Sequence, residues 1–390
     1  MPIINRFAEL HDEITGWRRE IHSNPELLFD VEQTAGFVTE KLKEFGLDEV
    51  VTGIGRTGVV GIIKGNDTSS GKVIGLRADM DALPIHEETG LDYASKVDGK
   101  MHACGHDGHT AMLLGAAKYL SETRNFDGSV AVIFQPAEEG GGGGREMVED
   151  GMMDRFNIQE VYGLHNWPGV PVGNFGTRPG ALMAATDIFT IDIQGSGGHA
   201  AKPHETIDPI VIASHIILAL QSIASRSVDP IKSVVVSVTT CNAGTAFNVI
   251  PDTASLNGTV RTLDESVRDL TEQRIQEVVE YTAKAHGATA VLDYKRNYPV
   301  VMNHVKETSF AVDIASGISG EDRVDTDASP TMGGEDFAFM LNARPGSFIF
   351  LGNGDTAPVH HPKYNFNDEI IPVGCSYWAK LVETAMPAKR

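Results

Sequence analysis

MHACGHDGH, residues 101–109, places Cys104, His106, Asp107 and His109 within six residues, among glycines. Thiolate and imidazole are the ligands that zinc and similar transition metals prefer. Taken alone, such a cluster could equally be a hydrogen-bonded polar turn without a metal. Further candidate ligands lie in other stretches: Glu138-Glu139, His165 in GLHNWP, His360 in VHHPKYNFND, and RADMDALP at 77–84. Scattered ligands must converge to make a catalytic metal centre, so the set predicts a fold that brings these segments together.

The composition predicts a two-domain globular protein in a reducing compartment. A chain of 390 residues is long for one core. Its net charge of -21 argues against nucleic acid or an anionic membrane as a partner. The three cysteines, Cys104, Cys241 and Cys375, do not make a disulfide framework. The N-terminus lacks the pattern of a signal peptide, and no apolar run approaches the roughly 20 residues of a membrane span. We therefore expect a cytoplasmic protein.

The chain begins with an amphipathic helix. Apolar residues recur at three- and four-residue spacing from Ile3 to Ile21, and Pro25 ends the pattern. Arg18, Arg19 and His22 stand near the end of this helix, where positive charge complements the helix dipole. We therefore interpret all three residues as charges that complement the helix dipole.

Helices and strands then alternate, which predicts a largely parallel sheet covered by helices. Apolar runs predict strands at 59–63, 73–76, 130–134 and 160–164 and a helix at 110–120. Asp79, Asp81, Glu138 and His165 follow strand ends, where open α/β sheets place their sites. The run Gly140–Gly144 lacks the lysine and hydroxyl residue of a phosphate-binding loop, so it predicts a flexible loop beside the site.

A different pattern occupies residues 185–295. It reads strand 186–193, helix 207–223, strands 233–239 and 254–261, helix 265–285 and strand 289–294. This β-α-β-β-α-β order is that of the ferredoxin-like split unit. The predicted organisation is therefore an α/β domain, residues 1–184 and 296–390, with an inserted α+β domain at 185–295.

These motifs resemble the M20 metallopeptidase family, in particular its subgroup of hippurate hydrolases, N-acyl-amino-acid deacylases and auxin-conjugate hydrolases. The resemblance extends from RREIHSNPEL, near residue 20, to NFNDEIIP, near residue 370. It implies that residues 1–184 and 296–390 form the catalytic domain on a zinc-peptidase-like mixed sheet. It also implies that the inserted domain, 185–295, is a lid that commonly forms the dimer contact. We therefore expect a homodimer or homotetramer through the lid.

The resemblance also implies the metal ligands, which would be Cys104, His106, Glu139, His165 and His360. Soft and borderline donors of this kind suit zinc, manganese, cobalt or nickel better than calcium or magnesium. Five ligands exceed the needs of one tetrahedral site, which fits two ions per subunit. In the family, the first acid of the Glu138-Glu139 pair is the general base and the second binds metal. His361 is an alternative to His360, but His360 takes the histidine position of the family's H-x-P-x-[FY] pattern.

Other residues match family positions around the substrate. His199, in GSGGHAAKPHETIDP, matches a lid histidine that typically reaches a neighbouring subunit's site, and His204 is the weaker candidate. Asn248 in GTAFNVIPD and Arg261 in GTVRT match positions near the substrate, and an arginine suits the carboxylate of an amino acid.

The acidic residues near the cluster mark the subgroup. Asp79 stands where many relatives have a metal-binding histidine, which leaves metal identity and occupancy open. Asp79, Asp81, Asp107 and His109 are expected to orient the ligands rather than to bind metal.

The implied function is metal-dependent hydrolysis of N-acyl-L-amino acids, such as N-benzoyl or N-acetyl compounds. The alternatives are a dipeptidase, an N-acetyl-diaminopimelate deacetylase, a non-catalytic metal-binding scaffold, and a hydrolase with Cys104 as nucleophile. A base at Glu138 beside a full ligand set argues against the scaffold. Chelator sensitivity separates the cysteine hydrolase from the rest.

Overall fold

A computed structural model describes residues 3–389. They form two compact units. The first contains the residues up to Leu182, Met302–Ser329, and the residues from Asp336 onward; the second contains Met183–Val301 and Pro330–Glu335. The domain limits predicted above, residues 185 and 295, stay a proposal.

The elements are numbered in chain order. The α-helices are α1 (Asn5–Glu9), α2 (His11–Ser23), α3 (Glu32–Glu44), α4 (His106–Thr123), α5 (Gly143–Glu149), α6 (Met152–Arg155), α7 (Pro209–Ser222), α8 (Glu265–Ala285), α9 (Val305–Ser319), α10 (Phe337–Ala343) and α11 (Ile371–Ala385). The strands are β1 (Glu49–Ile54), β2 (Gly58–Lys64), β3 (Val73–Asp79), β4 (Ser129–Gln135), β5 (Glu160–Pro168), β6 (Phe175–Gly176), β7 (Gly180–Met183), β8 (Ala185–Gln194), β9 (Gly198–His199), β10 (Val234–Ala243), β11 (Val249–Ile250), β12 (Thr253–Thr262), β13 (Thr289–Tyr298), β14 (Val301–Asn303), β15 (Val324–Asp325) and β16 (Gly346–Gly354).

The first unit is built on a mixed eight-stranded sheet flanked by helices, in the order β1-β2-β4-β3-β5-β16-β6-β15. Strand β3 pairs in parallel with β4 and β5, and β5 pairs in parallel with β16. Their apolar residues are buried, and α4 packs on β3 and against α2 and α11. Because parallel strands end at the same sheet edge, the segments that follow β3, β4, β5 and β16 are brought together there.

The second unit is an antiparallel sheet, β10-β12-β8-β13, packed against α7 and α8. Phe189, Ile191 and Ile193 stand at every second position of the predicted strand 186–193, a pattern that predicts one buried face, and all three are buried. The Asp264 side chain accepts hydrogen bonds from the backbone of Ser266 and Val267 and so caps α8. The predicted ferredoxin-like order of elements is confirmed, as is the α/β class of the first unit.

Two local predictions are corrected. The first helix is divided at Leu10 into α1 and α2. The glycine run is not a loop throughout, since Gly143 and Gly144 begin α5 and are buried. A Cβ at Gly143 would lie 1.8 Å from the Pro136 carbonyl oxygen, so these glycines serve close backbone packing.

One segment is longer and more apolar than the sequence analysis allowed. By length and composition alone, Pro209–Ser227 is long and apolar enough to cross a membrane, and 28% of its most apolar stretch is buried. Core helices of globular proteins can be as long and as apolar. Here the segment packs on the sheet of the second unit along one side, where Ile212, Ile216 and Leu220 are buried.

Candidate metal centre

The five predicted ligands meet at the sheet edge formed by β3, β4, β5 and β16. Cys104 Sγ lies 3.3 Å from His165 Nε2. Glu139 Oε1 lies 3.2 Å from His360 Nε2 and 3.9 Å from His106 Nε2. Three sets of ligand atoms each fall within 4.8 Å of one another: Cys104, His106 and His165; Cys104, Glu139 and His360; His106, Glu138 and Glu139. The overlapping sets make this a candidate metal centre.

Hydrogen bonds to the backbone fix the tautomers of two histidines. His106 Nδ1 donates to the Asp81 carbonyl over 2.8 Å, and His165 Nδ1 donates to the Asn166 carbonyl over 2.6 Å. Each ring therefore directs Nε2, rather than Nδ1, toward the cluster, as a metal-binding imidazole does. Within residues 3–389, His106 Nε2 has no hydrogen-bond partner although it is buried.

His360 and His361 differ in what they face. The His360 backbone has φ +64° and donates to the Ala103 carbonyl over 2.7 Å, which directs its ring toward Glu139. His361 Nδ1 instead accepts from the backbone N–H of Lys363, so this ring is held in its own turn.

A third acidic residue, Asp81, fixes the backbone of the adjacent acids Glu138 and Glu139. The Asp81 carboxylate accepts from the backbone N–H groups of Glu138 and Glu139, over 2.9 and 3.1 Å. Burial raises the pKa of Asp81 above its ordinary value. Asp81 therefore fixes the two peptide units that carry the acids.

Asp79 and His109 lie behind the cluster with their polar atoms occupied. Asp79 Oδ2 pairs with Arg77 over 2.9 Å, and Oδ1 accepts from His109 Nδ1 over 2.6 Å. Burial opposes ionisation of Asp79, but the positive charges of Arg77 and the neighbouring histidines hold its pKa well below the ordinary value. His109 Nε2 accepts from the Asn166 backbone, so both ring nitrogens of His109 are engaged.

Asp107, in α4, contacts Arg18 and His22 of α2. These contacts correct the interpretation of both residues as charges that complement the helix dipole. Both side chains are fully buried and face Asp107 rather than solvent, at 3.4 and 2.8 Å. Burial alone would lower the pKa of His22, but Asp107 raises it to about 9. These residues therefore form a buried ion network, and only Arg19 remains largely exposed near the helix end.

Electrostatics at Cys104 favour a thiol unless a cation is near. Burial and the charges of Glu139 and Glu138 raise its pKa well above the ordinary value. A thiol is a poor nucleophile, which argues against Cys104 as the attacking group. A bound cation would reverse the effect, because a coordinating thiol is deprotonated. The donor set of one thiol, three imidazoles and a carboxylate thus fits a transition metal.

The remaining predicted residues lie in the second unit. His199 pairs with Val249 across β9 and β11, and the Asn248 carbonyl accepts from Ala200, so His199 and Asn248 are neighbours. His199 Nδ1 accepts from the Ala201 backbone over 3.1 Å, which leaves Nε2 as the donor of the neutral ring. His204 is exposed. Arg261 donates to the Val260 carbonyl, and its partial burial lowers the pKa of the guanidinium.

Sequence reasoning did not assign Asn166 or Tyr364. Both are buried, and the Asn166 side chain contacts Tyr364 and the backbone of Cys104. The only signal in the sequence is that Asn166 follows His165 and that Tyr364 ends the H-x-P-x-[FY] pattern.

Comparison with known proteins identifies the family. The sequence profile of peptidase family M20/M25/M40 matches residues 75–384. Over 381 residues the chain is 45% identical to the hippurate hydrolase of Campylobacter jejuni, covering 98% of each sequence. It is 43% identical to an N-acetyl-L-cysteine deacetylase of Bacillus subtilis, covering 97% of this chain and 88% of that one.

A solved structure agrees. The Bacillus subtilis YxeP protein, a dinuclear metal-binding peptidase of family M20, matches with a TM-score of 0.85 at 37% identity, over 97% of this chain and 99% of that one. The resemblance inferred from the motifs is confirmed. The chain belongs to peptidase family M20 and is a metal-dependent amidohydrolase of that family.

Proposed function

We propose that the protein hydrolyses N-acyl-L-amino acids, of the N-benzoyl or N-acetyl type, to a carboxylic acid and a free amino acid. The convergence of Cys104, His106, Glu139, His165 and His360 beside Glu138 is the observation that carries this proposal. The hippurate hydrolase and acetylcysteine deacetylase among its relatives support the substrate class.

The five converging residues would hold two divalent ions per subunit, of zinc, manganese, cobalt or nickel. Their overlapping sets, with Cys104 shared by two of them, support two ions that share ligands. Such a pair of ions, when bound, polarises a carbonyl and lowers the pKa of water toward neutrality.

Glu138 is the general base in this proposal, and Glu139 is a metal ligand. The Asp81 carboxylate accepts hydrogen bonds from both backbone N–H groups, which fixes the two peptide units that carry these side chains. Glu138 removes a proton from the attacking water and delivers it to the leaving amine nitrogen as the C–N bond breaks.

The proposed substrate contacts are His199, Asn248 and Arg261. His199 presents Nε2–H, the kind of donor that stabilises the developing oxyanion, and it would act in the site of a neighbouring subunit. Arg261 would bind the carboxylate of the amino acid, and Asn248, beside His199, would contact the amide.

A substrate panel tests the proposed function. We expect the metal-reconstituted protein to release free amino acid from N-benzoyl- and N-acetyl-amino acids with a higher kcat/KM than from dipeptides or N-acetyl-diaminopimelate. The measurement is the release of free amine from each substrate of the panel. A kcat/KM at least tenfold higher for dipeptides, or for the diaminopimelate derivative alone, would contradict the proposal.

We also propose that the protein is a cytoplasmic homodimer or homotetramer, joined through the second unit. The outward side of α7 carries apolar side chains in water, Val211 at 47% and Leu218 at 71% exposure. Strand β10 is an edge of its sheet. Exposed apolar surface beside a free strand edge is typical of an interface.

The free thiols of the protein's three cysteines fit the proposed cytoplasmic location, which is a reducing compartment.

The charge substitution Leu218→Asp tests this interface. We expect sedimentation velocity to show wild type at twice the chain mass of 42.0 kDa or more, and Leu218→Asp to shift toward the single chain. Val305→Asp is the matched control, since Val305 is 73% exposed on the first unit. A wild-type protein that is monomeric and fully active at assay concentration would contradict both the interface and the shared role of His199.

A further inference from the structure

Asn166 lies at the centre of the hydrogen bonds behind the metal cluster. It is fully buried in β5, directly after His165. Its backbone carbonyl accepts from His165 Nδ1 over 2.6 Å, and its backbone N–H donates to His109 over 2.9 Å. Its side-chain amide donates to the Cys104 carbonyl over 2.6 Å and accepts from the Tyr364 hydroxyl over 2.6 Å.

The side chain of Asn166 fixes the backbone of Cys104. The next residue, Gly105, has φ +93°, and a Cβ there would lie 2.2 Å from the Asn166 amide nitrogen and 2.6 Å from the Tyr364 hydroxyl. The amide and the hydroxyl therefore pack directly on this turn. This turn therefore determines the position of Cys104 Sγ, which lies 3.3 Å from His165 Nε2.

The chemistry requires an amide at this position. The group must donate to a carbonyl and accept from a hydroxyl at the same time, and both partners are buried. An aliphatic side chain does neither, and would leave the Cys104 carbonyl and the Tyr364 hydroxyl without these bonds. A carboxylate cannot donate to the carbonyl.

We infer that Asn166 is a positioning residue that holds two proposed ligands, Cys104 and His165, in register for the metal. The inference rests on the proposed ligand set. Removing a group that orients ligands typically weakens metal binding by about 10- to 100-fold. The same loss should appear in the spectrum of the bound metal, because the thiolate is the ligand that moves.

The experiment measures metal affinity and spectrum rather than turnover. Cobalt is titrated into metal-free wild type, Asn166→Leu and Tyr364→Phe in competition with a chromophoric chelator, and the thiolate-to-cobalt charge-transfer band is recorded. We expect about 10- to 100-fold weaker binding and an altered or lost band in Asn166→Leu. A smaller loss is expected in Tyr364→Phe, which keeps the amide but removes its anchor.

Asn303→Leu is the control. Asn303 is also buried, and its amide donates to the Thr177 hydroxyl and to the backbone carbonyls of Arg178 and Phe348, outside the cluster. It should lower thermal stability while leaving cobalt affinity unchanged. Wild-type affinity in a folded Asn166→Leu would overturn the inference. If Asn166→Leu does not fold, wild-type affinity in Tyr364→Phe would overturn it. A wild type that binds no cobalt would instead overturn the proposed metal centre.

Discussion

Glu138→Gln should retain its metal and lose about 10²- to 10⁴-fold in kcat, the range typical of losing general acid–base catalysis. Glutamine keeps the shape of the side chain but cannot accept the proton of the attacking water. We expect a loss at or above the upper end of this range, because the same group is proposed to protonate the leaving amine. The measurement combines metal content by elemental analysis with turnover on one N-acyl amino acid.

Glu139→Gln is the matched comparison, since Asp81 holds the two neighbouring backbones alike. A neutral amide is a poorer metal ligand than a carboxylate, so this variant should lose metal, and its activity should partly return at high added metal. If Glu138→Gln loses its metal while Glu139→Gln keeps it, the two roles are reversed.

Complete removal of metal should abolish hydrolysis. No side chain proposed for the site supplies the Lewis acid that lowers the pKa of water, and burial keeps Cys104 a thiol when no cation is bound. We expect prolonged chelation followed by removal of the chelator to give inactive protein, and manganese, zinc, cobalt or nickel to restore it. Calcium, which prefers oxygen ligands, should not. Full activity in protein shown by elemental analysis to be metal-free would contradict the account.

Strong periodic patterns predicted much of the fold. The alternation through Phe189, Ile191 and Ile193 and the long pattern of α8 depend on local spacing, and the structure agrees with both. The prediction of a loop throughout the glycine run is wrong, because these glycines are required by contacts with residues that are distant in sequence. Gly143 and Gly144 are small to admit the backbone of Pro136 and Asp336, and Asp336 is 192 residues from Gly144 in sequence.

The candidate site shows the same division. Candidate ligands that converge in the structure could be named from the sequence, because thiol, imidazole and carboxylate groups stand out there. Their supports could not, because an asparagine or tyrosine gains its role only from distant contacts. Asn166 meets Tyr364 across 198 residues, and His22 meets Asp107 across 85. Neither pairing leaves a local pattern.

The most direct test of the central claim is anomalous X-ray scattering at the absorption edge of the bound metal in crystals of the reconstituted protein. The account predicts two peaks per chain, each about 2.0–2.3 Å from donor atoms of Cys104, His106, Glu139, His165 and His360. Peaks found only at other residues, with no metal density within about 3 Å of these five side chains, would contradict it.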